Sequence, residues 1–271
     1  MQPPLDIRAE KGDLILRQAS GPDEILACQR LRYLVFYEEL GASPVGDMAI
    51  SRFDSDRFDA ICDHLVVVRR GEVTDDDGIS LVDGELIGTY RLLRQEVAEA
   101  NGGFYTQGEF DIAPLIAAHP QLRFLELGRS CVLAPYRTKP VVELLWQGIW
   151  NYVRLHRIDV MLGCASLEGT NPDDHAVSLG LLANAAAPSN WNVQAHPDQR
   201  IEMNRLPSGQ IDQRQALKLL PPLIKGYLRL GCYIGDGAVI DRQFNTIDVL
   251  IILPVSAINP RYFAHFGAPT D

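Results

Sequence analysis

Strand-like apolar runs cluster early in this chain: HLVVVRR at residues 64–70, ELIGTYRLL at 85–93 and FLELGRSCVL at 124–133. Helix–strand alternation begins only after them, with a strong helical pattern at 141–156 leading into IDVMLGCA at 158–165. That order predicts a mixed α/β sheet rather than a doubly wound parallel one. A short strand is expected at 14–18. A helix opens at Gly21-Pro22-Asp23-Glu24 and runs to about residue 39, ended by Gly41. Residues 46–63 read as a polar, acidic loop. Helices are expected at 173–186 and at 213–230, the latter broken at Pro221-Pro222, with a strand at 246–255 and a short last helix at 259–266. Residues 188–213 are polar but contain Trp191 and Val193, so an ordered excursion is expected there.

The 271 residues suit one large domain, or a core with an extension. Apolar residues at 46% and charged residues at 22% predict a packed core rather than disorder. A net charge of −10 is the opposite of a nucleic-acid binder's balance. The start, MQPPLDIRAEKG, is acidic and broken by proline, unlike a signal peptide. The longest aliphatic stretch, 249–255, falls far short of the roughly 20 apolar residues that cross a bilayer. Cysteines 28, 62, 131, 164 and 232 are scattered, odd in number and never in a CxxC. They read as reduced thiols of a cytosolic protein, not as a zinc site.

Several chemistries lack their motif. There is no G-x-S-x-G elbow, no P-loop, no G-x-G-x-x-G after a strand, no H-E-x-x-H and no H-x-x-x-x-D pair. Gly235-Asp236-Gly237 reads as a turn. What remains is chemistry done by carboxylates, arginines and backbone groups.

Four segments carry a pattern: LRYLVF (31–36), DRFD (56–59), GTYRLL (88–93) and ELGRSCV (126–132). They supply, in order, Arg32 and Phe36, Asp56 and Asp59, Arg91, then Glu126 and Arg129. In order and approximate spacing this resembles the acyl-homoserine-lactone synthases. It resembles more closely the bacterial N-acyltransferases that make ornithine lipids, a likeness extended by the tail PPLIKGYLRLGCYIGDGAVIDRQFNTIDVLIILPV (221–255). Both groups lie in the GNAT-like superfamily. The resemblance implies a mixed, mostly antiparallel sheet flanked by helices, with a core at 10–205 and a C-terminal extension at 206–271. It also implies direct transfer of a 3-hydroxyacyl chain to the α-amine of ornithine or a related amino acid such as glutamine. No bound cofactor is expected, the donor being the phosphopantetheine thioester of acyl carrier protein.

Amide formation needs a neutral amine, a place for charge on the carbonyl oxygen and an exit for the thiol. A free amine is largely protonated at pH 7, so a base or water relay is required. Glu126 is the candidate base, with Arg129 beside it; the alternative is that Glu126 only pairs with Arg129 or Arg91. Strand alternation puts Glu126, Gly128 and Ser130 on one face unless a bulge intervenes. The resemblance implies that backbone N–H groups near Cys131–Leu133 stabilise the oxyanion, so Ser130, Cys131 and Val132 join the site. Cys131 itself reads as inert, with no paired histidine nearby. Arg32 suits a carboxylate, while Asp56 and Asp59 suit a cationic side chain. Arg91, in an apolar strand, needs an acid partner.

Two departures matter. The lactone synthases carry a Trp shortly after the first helix; here none precedes Trp146. Where the superfamily's pyrophosphate loop has glycines, this chain reads Arg137-Thr138-Lys139-Pro140-Val141-Val142. Side chains there obstruct a pyrophosphate, which coenzyme A carries and the carrier-protein arm does not. Arg137, Lys139, Arg154 and Arg157 flank the 141–156 helix and suit an acidic carrier. Val142, Trp146 and Ile149 are core residues first and acyl-tunnel lining second. The amphiphilic product brings peripheral contact with the inner membrane into the expectation. The rival readings are a lactone signal synthase and a non-catalytic lipid- or carrier-binding module.

Overall fold

The computed structural model describes residues 7–71, 78–185, 187–207, 209 and 211–259. Their strands are β1 (Ala9–Lys11), β2 (Leu14–Gln18), β3 (Asp63–Arg69), β4 (Ser80–Leu81), β5 (Gly84–Arg94), β6 (Phe124–Val132), β7 (Val160–Glu168), β8 (Arg200–Ile201), β9 (Tyr233–Asp241) and β10 (Thr246–Pro254). The helices are α1 (Pro22–Tyr33), α2 (Met48–Ser51), α3 (Gln95–Ala100), α4 (Ala113–Ala118), α5 (Lys139–His156), α6 (Ala176–Ala183), α7 (Gln213–Leu219) and α8 (Pro222–Leu230). All strands join one sheet in the order β1-β2-β3-β5-β6-β7-β10-β9-β8, with β4 added beside β5. Every pairing is antiparallel except β6 with β7, the pair bridged by the α5 crossover. The expected mixed, mostly antiparallel α/β sheet is the one formed. The expected helix at 259–266 lies almost wholly outside the described residues.

Side-chain alternation gives the sheet two apolar faces. Leu65, Val67, Leu125 and Leu127 meet Leu144, Ile149 and Val153 of α5 on one face. On the other, Val66, Val68 and Leu86 meet Cys28 and Leu31 of α1, while Phe124 and Leu162 meet Phe104 and Phe110. The helix expected to reach residue 39 does so, but Leu34–Glu39 is π-helical, the wider winding that recurs at functional sites. Residues 46–63, expected as a loop, contain α2 and a series of turns. Pro221-Pro222 separates α7 from α8, as expected. The excursion at 188–213 is anchored by buried Val193 and Ala195.

Gly235-Asp236-Gly237 is not a turn. It is a bulge inside β9, where Ala238 and Ile234 face Val249 and Ile251. A Cβ on Gly235 would lie 2.9 Å from Leu250 Cβ, and Gly237 has φ +90°. Glycine is therefore required by space at one position and by backbone conformation at the other.

The parallel contact of β6 with β7 is short. Phe124–Glu126 pair with Val160–Leu162, after which the two strands run on without partnering each other. Gly163 is the last point of close approach: a Cβ there would sit 2.3 Å from the Leu127 carbonyl oxygen. Beyond it the strands part, and the slot between them is the site described below. Gly163→Ala would force the slot open at its apex. It is expected to cost about 1–3 kcal/mol through steric strain, read as a lowered melting temperature.

Candidate active site

A cavity of about 370 Å³ passes through the slot. Glu126, Gly128, Arg129 and Ser130 line it from β6, and Leu162, Cys164 and Ser166 from β7. One end opens among polar groups. The other, past Met161, Tyr90 and Tyr227, lies on the α5 and α8 face.

The polar wall rests on a buried lattice of three arginines and three aspartates. Arg32, 1% exposed, grips both oxygens of Asp59 at 2.9 Å and donates from Nε to Asp54 at 2.7 Å. Its Nη2 also donates to the Asp54 carbonyl. Arg91 donates to Asp56 at 2.7 Å and to Asp59 at 3.1 Å. Arg129 reaches Asp56 at 3.3 Å and lies 3.4 Å from Asp54. The Tyr37 hydroxyl donates to Asp54 at 3.1 Å and accepts from Gln243 at 2.8 Å. Burial alone would push the Asp59 carboxyl up; Arg32 and Arg91 instead hold it well below the ordinary carboxylate range.

Arg32, Asp56, Asp59, Arg91 and Arg129 therefore stand together, with Phe36 close by, edge-on to Phe244 at 5.5 Å. Arg32 and Asp59 are spent on each other. Arg91 has the acid partners that its apolar strand demanded. Asp54 was not singled out by the sequence pattern, although it sits two residues before Asp56.

Glu126 pairs with neither arginine. Its carboxylate accepts the backbone N–H groups of Tyr105 at 3.0 Å and Thr106 at 2.7 Å. Burial pushes its pKa up against those hydrogen bonds. The β6 bulge then breaks the expected alternation. Gly128 faces Arg91 and Cys131 faces Thr89, so Arg129 and Ser130 together oppose Tyr90 alone. Arg129 takes φ +50°, a left-handed conformation uncommon for a side-chain-bearing residue. The extra residue keeps Arg129 on the aspartate side and sends Ser130 to the opposite face, beside Tyr90. Tyr90 and Tyr227 hydroxyls lie 2.9 Å apart there. Ser130 is thus not on the Glu126 face.

Leu133 N–H is consumed by Ile87 O at 2.9 Å. Ladder alternation turns the Val132 N–H away from β5, toward the side where β7 has departed. Cys131 is buried against Cys28 and Leu31, and burial pushes its thiol well up. The four flanking cations do not form one patch. Arg137 and Lys139 sit at the start of α5 and Arg154 and Arg157 at its end, about 27 Å away along an 18-residue helix. Arg137 is engaged by Glu39 at 2.5 Å and 2.7 Å, and Lys139 by Glu143 at 3.4 Å.

This geometry has relatives. The acetyltransferase (GNAT) domain family matches residues 31–147. FeeM, an N-acyl amino acid synthase from uncultured soil microbes, shares the fold with a TM-score of 0.50 at 14% identity, covering 92% of this chain and 97% of its own. An L-ornithine N(alpha)-acyltransferase of Agrobacterium fabrum is 48% identical over 96% of this chain and 87% of its own length. One from Brucella abortus is 48% identical over 96% and 91%. The chain belongs to the L-ornithine N(alpha)-acyltransferase family.

Acids that the sequence pattern missed stand beside the candidate site. Asp248 and Asp241 line the polar end of the cavity, and Glu109 lies against Cys164, which also lines it. Asp248 had a legible signal, a lone acid in the apolar run TIDVLIILPV; Glu109, in an irregular segment, had none. Burial pushes both carboxyls up, Asp248 adding to the effect on Glu109 and Asp241 to that on Asp248.

Removing one member of a buried ion pair typically costs about 3–5 kcal/mol, because the other is stranded. Asp59→Asn is expected to lose that much at neutral pH in equilibrium unfolding. The folded-state pKa of Asp59 is depressed, so its contribution is present above the ordinary carboxylate range and fades as pH falls toward the folded-state value. The gap between variant and parent should therefore close in acid.

Proposed function

We propose that this enzyme transfers a 3-hydroxyacyl chain from acyl carrier protein to the α-amine of L-ornithine, giving a lyso-aminolipid. The single observation that supports this most strongly is near-full-length similarity to L-ornithine N(alpha)-acyltransferases at 38–48% identity, joined to a slot that opens on both faces of the sheet. The polar face suits a small zwitterion and the apolar face an acyl chain. On the latter, a second cavity of about 350 Å³ lies between α5 and α8, lined by Val142, Trp146, Ile149 and Trp150, and Met161 walls both cavities.

In this reading the thioester carbonyl lies in the slot with its oxygen toward the Val132 N–H. Glu126 takes a proton from the incoming ammonium; two backbone donors leave its carboxylate with lone pairs to spare. The α-nitrogen forms the C–N bond, the C–S bond breaks, and the thiol departs with a proton. No covalent enzyme intermediate is required. Arg129, clamped between Tyr105 and Phe244 at 4.7 Å and 4.5 Å from their ring centres, places positive charge beside the acceptor.

The α5 start supports a carrier-protein donor. Pro140, in the first turn of α5, lacks an N–H. A helix start with fewer free donors is a poorer diphosphate cradle. Arg137 and Lys139 at one end of α5, and Arg154 and Arg157 at the other, would meet the acidic carrier. We read residues 10–205 as the acyltransferase core and 206–271 as its extension; β10 pairs along its full length with β7 and supplies Asp248 to the cavity. Among the described residues no helix is long and apolar enough to cross a membrane. A cytoplasmic enzyme touching the inner membrane peripherally would suit the amphiphilic product.

Purified protein given 3-hydroxyacyl carrier protein and an amino-acid panel including ornithine and glutamine is expected to yield N-acylornithine by mass spectrometry. The same acyl coenzyme A thioester should serve poorly. Absence of any acylated amino acid would sink the reading. Glu126→Gln should lower kcat by about 10²- to 10⁴-fold. A base must be ionised, so the parent's rate falls as pH drops through the raised Glu126 pKa. That acid limb, above the ordinary carboxylate range, should lose the Glu126 contribution in the variant.

A further inference from the structure

Apart from Glu126 and the exposed Glu168, six acids around the site divide into two groups with different fates. Asp54, Asp56 and Asp59 are each paired with an arginine. Asp241 and Asp248 line the cavity, Glu109 touches the cavity-lining Cys164, and among the described residues none of the three has an ion-pair partner. Asp241 spends one oxygen on the Gln243 and Phe244 N–H groups. Asp248 accepts from the Thr246 hydroxyl at 2.9 Å, and Glu109 from the Cys164 thiol at 3.2 Å. These are neutral donors, and a carboxylate has lone pairs left after one of them. Asp248 is 5% exposed and Glu109 9%; burial without a cation raises both carboxyls, and an ammonium placed beside them would favour their ionised forms.

A second feature of the cavity marks a ligand of mixed charge. Arg129 Nε lies 3.4 Å from Asp54 without forming a hydrogen bond, and its guanidinium lines the same cavity. An amino acid with a cationic side chain offers a carboxylate for Arg129 and an ammonium for unpaired acids. The spacing fits. Glu126 faces Leu162 across the β6–β7 contact, and Cys164, whose thiol touches Glu109, lies two residues on, about 7 Å along the strand. Asp248 faces Ser166, the next residue on the same side of β7. A three-carbon side chain whose α-nitrogen is at Glu126 is long enough to carry its terminal nitrogen one such step along β7, toward these acids.

The geometry points to Glu109 and Asp248 as the specificity-determining residues that bind the side-chain ammonium of the acceptor, the role that the sequence pattern offered to Asp56 and Asp59. This rests on the ornithine reading above. Glu109, Cys164 and Asp248 present atoms within 4.8 Å of one another, which also matches a metal's reach. The thiol, however, donates to Glu109 and burial holds it protonated, so the trio suits a hydrogen-bonded cation better than a metal ion.

The test compares L-ornithine with L-norvaline, the same side-chain length without the terminal amine, at fixed 3-hydroxyacyl carrier protein. The parent enzyme should favour ornithine in kcat/KM by about 10-fold or more, the worth of one charged hydrogen bond. Asp248→Asn and Glu109→Gln should each lower ornithine kcat/KM by about 10- to 100-fold, mainly through KM, and leave norvaline nearly unchanged. Equal losses on both amino acids would overturn the proposal and assign the acids to the chemical step or to folding. A parent enzyme indifferent to the terminal amine would overturn it without any variant, while leaving α-N-acylation intact. Loss of ornithine preference after chelator dialysis would replace the ammonium by a metal. Acylation of neither amino acid would bring down the ornithine reading and this proposal together.

Discussion

The Arg32–Asp59 pair is the interaction on which the site depends. Two parallel hydrogen bonds of 2.9 Å join a helix to the segment preceding β3, at 1% and 4% exposure. Arg91 and Arg129 then attach β5 and β6 to the same acids. An ionic lattice of this kind is no bargain in net free energy compared with a packed apolar core. Its consequence is geometric: each charge must keep its partners, so four chain segments hold one relative position. Arg129, in a left-handed conformation at the β6 bulge, is fixed by that lattice and by two aromatic rings.

The slot follows from the sheet. A parallel pair at the centre of an antiparallel sheet is joined by a helical crossover, and here it lasts three residues. Past Gly163 the strands diverge, and the backbone hydrogen bonds of both are left for other partners. Those unclaimed donors, a wall that is polar on one face and apolar on the other, and a buried carboxylate at the apex are what acyl transfer between a small zwitterion and a lipid-like donor needs.

Glu126 and Glu109 show how two buried carboxyls near one cavity can be held differently. Glu126 is held by two backbone N–H groups near the point where the strands part. Glu109 has a thiol for company and Asp248 as its neighbour. Burial raises both, but only Glu126 has hydrogen bonds that favour its ionised form from two backbone donors.

The sequence by itself determined the mixed sheet, most of its longer strands and the helix break at Pro221-Pro222, and its resemblance to a known family grouped Arg32, Asp56, Asp59, Arg91 and Arg129. Apolar periodicity and charges stranded in apolar runs are local signals, and they survive without coordinates. Tertiary structure decided the rest. Alternation could not show that a bulge turns Ser130 away from Glu126, because a bulge depends on the partner strand. Short β1, β4 and β8 carry too few residues to establish a period, and the bulged β9 read as a turn. Asp54, Glu109 and Asp241 came into view only when distant segments were brought together around the cavity. Whether Glu126 paired with an arginine or with backbone was settled by where Tyr105 and Thr106 lie, which no spacing along the chain encodes.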